Sequence, residues 1–137
     1  MHEDCPFCNP SDKILKENDL ARVFLSNPRK VPGHFVVAPK RHVEKPWELT
    51  KDELANIFEL VFFIEQRIIG KLGDGADIKQ NYRPFMPAGR IKRDHVLFHV
   101  YPRSLHDYLY KTVEIHETDL YADLDDLERK EVSKLLD

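Results

Sequence analysis

The sequence predicts an α+β fold built as one small domain. Three observations carry this reading. A chain of 137 residues is long enough for one core and too short to divide comfortably into two. Four short runs of β-branched and aromatic residues are bounded by proline- and glycine-rich loops. A single long amphipathic stretch lies between the second and third of them.

Residues 4–12, DCPFCNPSD, are turn formers and predict a loop or knuckle. Residues 21–26 and 34–38 predict two antiparallel strands separated by NPRKVPG, and PKRHVEKPWEL then runs as an irregular connector in which Trp47 is expected to anchor to the core. Thr50 and Glu53 have capping-box spacing. Leu54, Ile57, Phe58, Val61, Phe62, Ile68 and Ile69 follow near a period of 3.6, so a helix is predicted from Thr50 to the glycines at 70 and 73. Leu60, Phe63 and Ile64 widen its apolar stripe, which suits packing on a sheet with a second surface left for a partner chain. Residues 76–82 predict a third strand, and the basic loop RPFMPAGRIKRD leads to a fourth at 94–103. Residues 104–137 form an acidic, helical C-terminal extension to a core spanning 4–103, with Leu124, Leu127, Val132 and Leu135 as a weak stripe.

Composition narrows the function. Hydrophobic residues at 42% and charged residues at 33% describe an ordinary soluble protein, and a net charge of -3 argues against a dedicated nucleic-acid binder. No apolar run approaches the ~20 residues that cross a bilayer, and MHEDCPFC is polar where a signal peptide would be basic and then apolar. A cytoplasmic protein is expected. Cys5 and Cys8 are too close in sequence to staple distant parts of the fold, and such a pair in a reducing compartment binds metal or does redox chemistry. A thioredoxin-like site would need a strand before the cysteines, for which there is no room.

A tetrahedral zinc site takes four sulfur or nitrogen donors. The cysteines supply two, and seven histidines (2, 34, 42, 95, 99, 106 and 116) are available for the rest. Among them His42 and His95 lie at strand ends, while His2, His106 and His116 have the setting of surface residues. The plain alternative is that Cys5 and Cys8 are merely small residues near a terminus.

The fourth strand, DHVLFHVYPR, alternates. One face carries His95, Leu97, His99 and Tyr101, and the other Val96, Phe98 and Val100. Taken in order, CPFC, VPGHFVVAPKRHVEKPWEL, Asn81 and AGRIKRDHVLFHVYPR make the chain resemble the histidine-triad (HIT) superfamily of nucleotide hydrolases and transferases, over residues 4 to about 103. The resemblance implies a five-stranded antiparallel sheet crossed by a long helix, a homodimer, and nucleoside phosphates as ligands. It also implies zinc held by Cys5, Cys8, His42 and His95. His34 corresponds to a histidine lining the family's site.

The family motif carries three alternating histidines, and the middle one attacks the α-phosphorus to form a nucleotidyl-imidazole. Here that position is Leu97. An isobutyl group has no lone pair, and His99 lies ~6–7 Å farther along the strand. The leucine is read in three ways: a natural loss of activity, a substitution introduced to trap a ligand, or a site that works through another group. Phosphate binding would then rest on the backbone at Ala88 and Gly89, on Arg90, Lys92 and Arg93, and on His99 if protonated.

The loop AGRIKRD departs from the family's A-G-Q followed by a hydroxyl residue. Its cations favour a highly charged ligand such as a dinucleoside polyphosphate, or form a solvated basic loop. Asn27 is preferred to Ser26 against a ribose because its amide both donates and accepts. Asn81 either contacts phosphate or closes a turn, and His34 either lines the site or is a core histidine with one hydrogen bond. Phe24 and Val36 are expected to wall a base pocket. The contrasting reading is a zinc-stabilised homodimeric module without a nucleotide ligand.

Overall fold

A computed structural model describes residues 5–10, 13–85 and 94–137. The chain divides into two compact units, Met1–Leu105 and His106–Asp137.

The first unit holds five strands, β1 (Lys16–Glu17), β2 (Ala21–Leu25), β3 (Phe35–Pro39), β4 (Gly75–Lys79) and β5 (Phe98–Arg103), and one long helix, α1 (Lys51–Ile68). The strands pair antiparallel in the order β1-β2-β3-β5-β4, so the predicted sheet and helix are observed, with β1 as an addition. At two residues β1 is too short to leave a periodic signal.

Alternation gives the sheet two different faces. Ala21, Val23, Val37, Phe98 and Val100 turn toward α1 and pack with Ile57, Leu60, Val61, Ile64 and Ile68 in one aliphatic core. Each fully buried side chain of this kind contributes roughly 1.5–3 kcal/mol. Phe24, Val36 and Ala38 face the other way and meet Phe7 from the N-terminal knuckle, with Cys5, Ile14 and Leu97 packed against them.

Helix α1 starts as its sequence predicts. Thr50 accepts from the Glu53 amide at 3.0 Å, and the Glu53 carboxylate accepts from the Thr50 amide at 2.9 Å. The buried Glu53 carboxylate also takes two hydrogen bonds from Arg41, at 3.0 and 2.7 Å, which hold its pKa below the ordinary value. The helix ends at Ile68, before Gly70, which turns the chain at φ +86°. Leu54 and Phe62 remain exposed on its outer side. Gly33, at φ +80°, lies where a Cβ would come within 2.9 Å of Leu72, so a glycine is required to close the β2–β3 loop.

Two expectations are corrected. Trp47 is 68% exposed, its ring edge-on to Tyr82, and it does not anchor the connector to the core. That tie is made by Arg41 to Glu53 instead. The fourth strand pairs only from Phe98, because the Val96 amide donates to Val43 O of the connector rather than to a ladder partner.

The second unit is made of short helices, α2 (Tyr108–Thr112) and α3 (Asp126–Ser133), with 3₁₀ turns between and after them. Asp107 and Asp125 cap α2 and α3 through their carboxylates. Leu124, Leu127, Val132 and Leu135 are all exposed.

Candidate functional site

The Val96–Val43 hydrogen bond of 2.7 Å draws the start of the fourth strand against the connector, which brings His95 and His42 together. The knuckle closes over them. Asn9 N donates to Cys5 O at 3.0 Å, and buried Phe7 sets its ring 5.6 Å from both Phe24 and His95. Cys5, Cys8, His42 and His95 thereby converge, with their ligand atoms all within 4.8 Å of one another. Cys5 Sγ lies 3.3 Å from His95 Nδ1, and Cys8 Sγ lies 3.2 Å from His42 Nδ1 and 3.7 Å from His95 Nδ1.

These separations fit a tetrahedral metal ion, whose sulfur–nitrogen edges are about 3.5 Å for bonds of ~2.3 and ~2.0 Å. The far sides of the rings fit it too. His42 Nε2 donates to the Glu44 carboxylate at 2.8 Å and His95 Nε2 to Pro39 O at 2.9 Å, so each ring in its neutral form presents an unprotonated Nδ1 to the cluster. Burial and the neighbouring Cys5 push the Cys8 thiol up to about 11, and Arg22 opposes that rise. Cys8 therefore needs a cation to become thiolate at neutral pH, and binding one would release its proton. The four residues could hold a metal ion.

Farther along the chain, on the face away from α1, follow Leu97, just before β5, and then His99 and Tyr101 on it. Leu97 is half-buried against the Phe7, Phe24, Val36 and Ala38 cluster. His34 Nε2 and His99 Nδ1 are 2.8 Å apart, and the Lys30 amide donates to His34 Nδ1 at 3.1 Å. His34 is buried, its pKa pushed down to about 4 by that burial, by His99 and by Lys30. The Tyr101 ring stacks parallel to His99 at 6.0 Å, and burial raises its phenol pKa. His99 thus lies beside a ring whose acceptor nitrogen is already engaged by the Lys30 amide, and Leu97 lies in sequence between it and His95 of the four-residue cluster.

The sequence model of the HIT domain family matches residues 9–106, well over half of the chain. This chain belongs to the HIT family. It is 34% identical over 127 residues to an uncharacterized HIT-like protein of Methanocaldococcus jannaschii, covering 85% of this chain and 92% of that one. It is 32% identical over 97 residues to an adenosine 5′-monophosphoramidase of Schizosaccharomyces pombe, covering 69% of this chain and 66% of that one. In structure it is similar to a HIT family protein of Bacillus anthracis, with a TM-score of 0.73 at 20% identity over 99% of this chain and 96% of that one. A histidine triad nucleotide-binding protein of Candida albicans aligns with a TM-score of 0.59 at 21% identity, over 96% of this chain and 99% of that one. At these identities the structural likeness is one of fold.

Within this HIT domain the expected residues separate into groups. Cys5, Cys8, His42 and His95 form one cluster, and His34 and His99 form a pair. His34 is buried and hydrogen-bonded through both ring nitrogens. Asn27 and Asn81 are exposed in the described loops, and Asn81 O accepts from Gln80 Nε2, a local turn contact. Ala88, Gly89, Arg90, Lys92 and Arg93 lie outside the described residues, as does His2. His106 and His116 are exposed as expected. Phe24 and Val36 are buried against Phe7, so their bulk supports the knuckle.

Sequence reasoning missed Glu44, Lys30 and Arg22. Glu44 follows His42 by two residues, a spacing at which an acid can reach back to a ligating ring. Lys30 acts through its backbone amide, which no residue type announces. Arg22 has a buried Nε with no hydrogen bond in the described structure and acts on Cys8 by charge alone.

Proposed function

We propose that this HIT-family chain binds nucleoside phosphates on the sheet face away from α1, and that hydrolysis or nucleotidyl transfer there is absent or severely weakened. The observation that carries this is Leu97, placed between two histidines whose surroundings are otherwise built for the family's chemistry. Attack on phosphorus needs a lone pair held in line at near-contact distance. Leucine has none, and His95 directs its Nδ1 at the thiols.

We assign zinc to Cys5, Cys8, His42 and His95, because two thiols and two imidazoles with satisfied far nitrogens are its usual donor set. When bound, it supplies a rigid cross-link between knuckle, connector and strand. His34 and His99 line the phosphate side. Asn27 serves the ribose, while Asn81, the backbone at Gly89 and the side chains of Arg90, Lys92 and Arg93 serve the phosphates. The similarity to an adenosine 5′-monophosphoramidase supports adenosine phosphates and phosphoramidates as the ligand class. A cytoplasmic homodimer fits the exposed Leu54 and Phe62 on α1, the unpaired edge of β4, and the lack of any described helix long and apolar enough to cross a membrane.

The test is Leu97→His assayed on adenosine 5′-phosphoramidate and diadenosine polyphosphates. Turnover should rise by at least about 100-fold, the scale of restoring one catalytic group. No gain would place the defect elsewhere in the site. If millimolar AMP also left the melting temperature unchanged, the ligand-free zinc module would replace this reading.

A further inference from the structure

The hydrogen bonds around His34 fix the positions of two protons. The Lys30 backbone amide can only donate, so His34 Nδ1, 3.1 Å away, carries no hydrogen. A neutral His34 then bears its proton on Nε2, and that N–H points at His99 Nδ1 across 2.8 Å. His99 Nδ1 must accept, which leaves the His99 proton on Nε2.

We infer that His34 locks His99 in the neutral Nε2–H form, making His99 a fixed hydrogen-bond donor that cannot replace the nucleophile missing at Leu97. One nitrogen of His99 carries the proton and the lone pair of the other is engaged by His34. Neither is free to attack phosphorus. Protonating His99 would set two N–H groups against each other at 2.8 Å, or turn His34 away from the Lys30 amide.

The other groups that face this pair act in the same direction. Lys79 stands opposite His99 in the β4–β5 ladder, and Lys30 lies 5.7 Å over the Tyr101 ring. Both cations oppose a further positive charge. Asp77, opposite Tyr101, would favour one, but its carboxylate is paired with Arg103. Tyr101, stacked on His99, has its phenol pKa raised and stays neutral. Burial keeps His34 itself neutral. On this inference His99 would meet a phosphate as a neutral donor and not as a cation. His34 is a positioning residue, and the charge for an anion comes from the lysines and arginines.

The role given to His99 as a donor to a bound anion rests on the proposed nucleotide site, but the proton positions do not. Long-range ¹H–¹⁵N spectra of the full, zinc-loaded chain without nucleotide read both rings directly. His34 and His99 should each show the Nε2–H pattern at pH 7, and His99 should still be neutral at about pH 5.5, a full unit below an ordinary histidine. His34→Phe, which keeps a ring and removes the donor, should return the His99 midpoint to about 6.5. His34→Gln, whose amide still donates, should keep it low. A wild-type His99 that carries its proton on Nδ1, or titrates near 6.5, overturns the inference whether or not the variants fold. A separate AMP titration that shows no binding would overturn the nucleotide reading and leave the proton positions standing.

Discussion

The two histidines that flank Leu97 are held in opposite ways. His95 donates through Nε2 to Pro39 O and turns a bare Nδ1 toward the cysteines, whereas the His99 Nδ1 is occupied by His34. The same side chain, at two positions four residues apart, is thus set up to hold a metal ion at one and to donate a hydrogen bond at the other. What decides between them is where each ring finds its partner: a carbonyl oxygen at Nε2 leaves His95 Nδ1 bare, and an N–H at Nδ1 occupies that of His99. Leu97 lies between these two ends and contributes packing to the knuckle cluster.

The metal end should be the more fragile. Cys8→Ala, or stripping with a chelator, would remove the proposed metal cross-link between knuckle, connector and strand. The fall in stability should be at least about 3 kcal/mol, read as a drop of about 10 °C in melting temperature together with loss of stoichiometric zinc. An unchanged melting curve would break the comparison at that end.

The His34 end should show itself through pH. The native pKa of about 4 lies below the ordinary 6.5. The unfolded chain therefore binds the extra proton first as pH falls. Stability from this group is complete above about pH 6.5 and is lost toward pH 4, by up to about 3 kcal/mol. Denaturation midpoints of wild type and His34→Phe should draw together across that window. Parallel profiles would remove His34 as the cause.

Arg41, next to His42, steadies the connector from behind by gripping Glu53. Glu53→Ala leaves the guanidinium without its partner and removes the capping box, and urea unfolding should register about 2 kcal/mol. The smallest effect belongs to Glu44→Gln. It weakens the acceptor on His42, and competition with a chelator should show zinc affinity lowered roughly tenfold.

Much of this arrangement is legible in the chain. Period-3.6 spacing and the Thr50–Glu53 pair give α1, because helix periodicity and capping are local. Strict alternation in 94–103 gives the two faces of the fourth strand, and Val96, Phe98 and Val100 do turn into the core while Leu97 faces away. The C-x-x-C pair shows half of the metal cluster; its two histidines become identifiable only through family resemblance, since strand ends meet through tertiary pairing. The remainder depends on contacts that residue type does not encode. Trp47 is a large apolar residue that stays exposed, and β1 is two residues long. The lock on His99 comes from a backbone amide in a loop closed by Gly33, and any residue at position 30 other than proline would supply the same N–H.

Binding without turnover is the central claim, and one calorimetric titration of AMP into the zinc-loaded wild-type chain, followed by incubation of the same sample with adenosine 5′-phosphoramidate, tests it most directly. Saturable heat with one AMP per chain is expected, and the phosphoramidate should be left intact. Rapid release of ammonia from the phosphoramidate, or no heat at millimolar AMP, would contradict the claim.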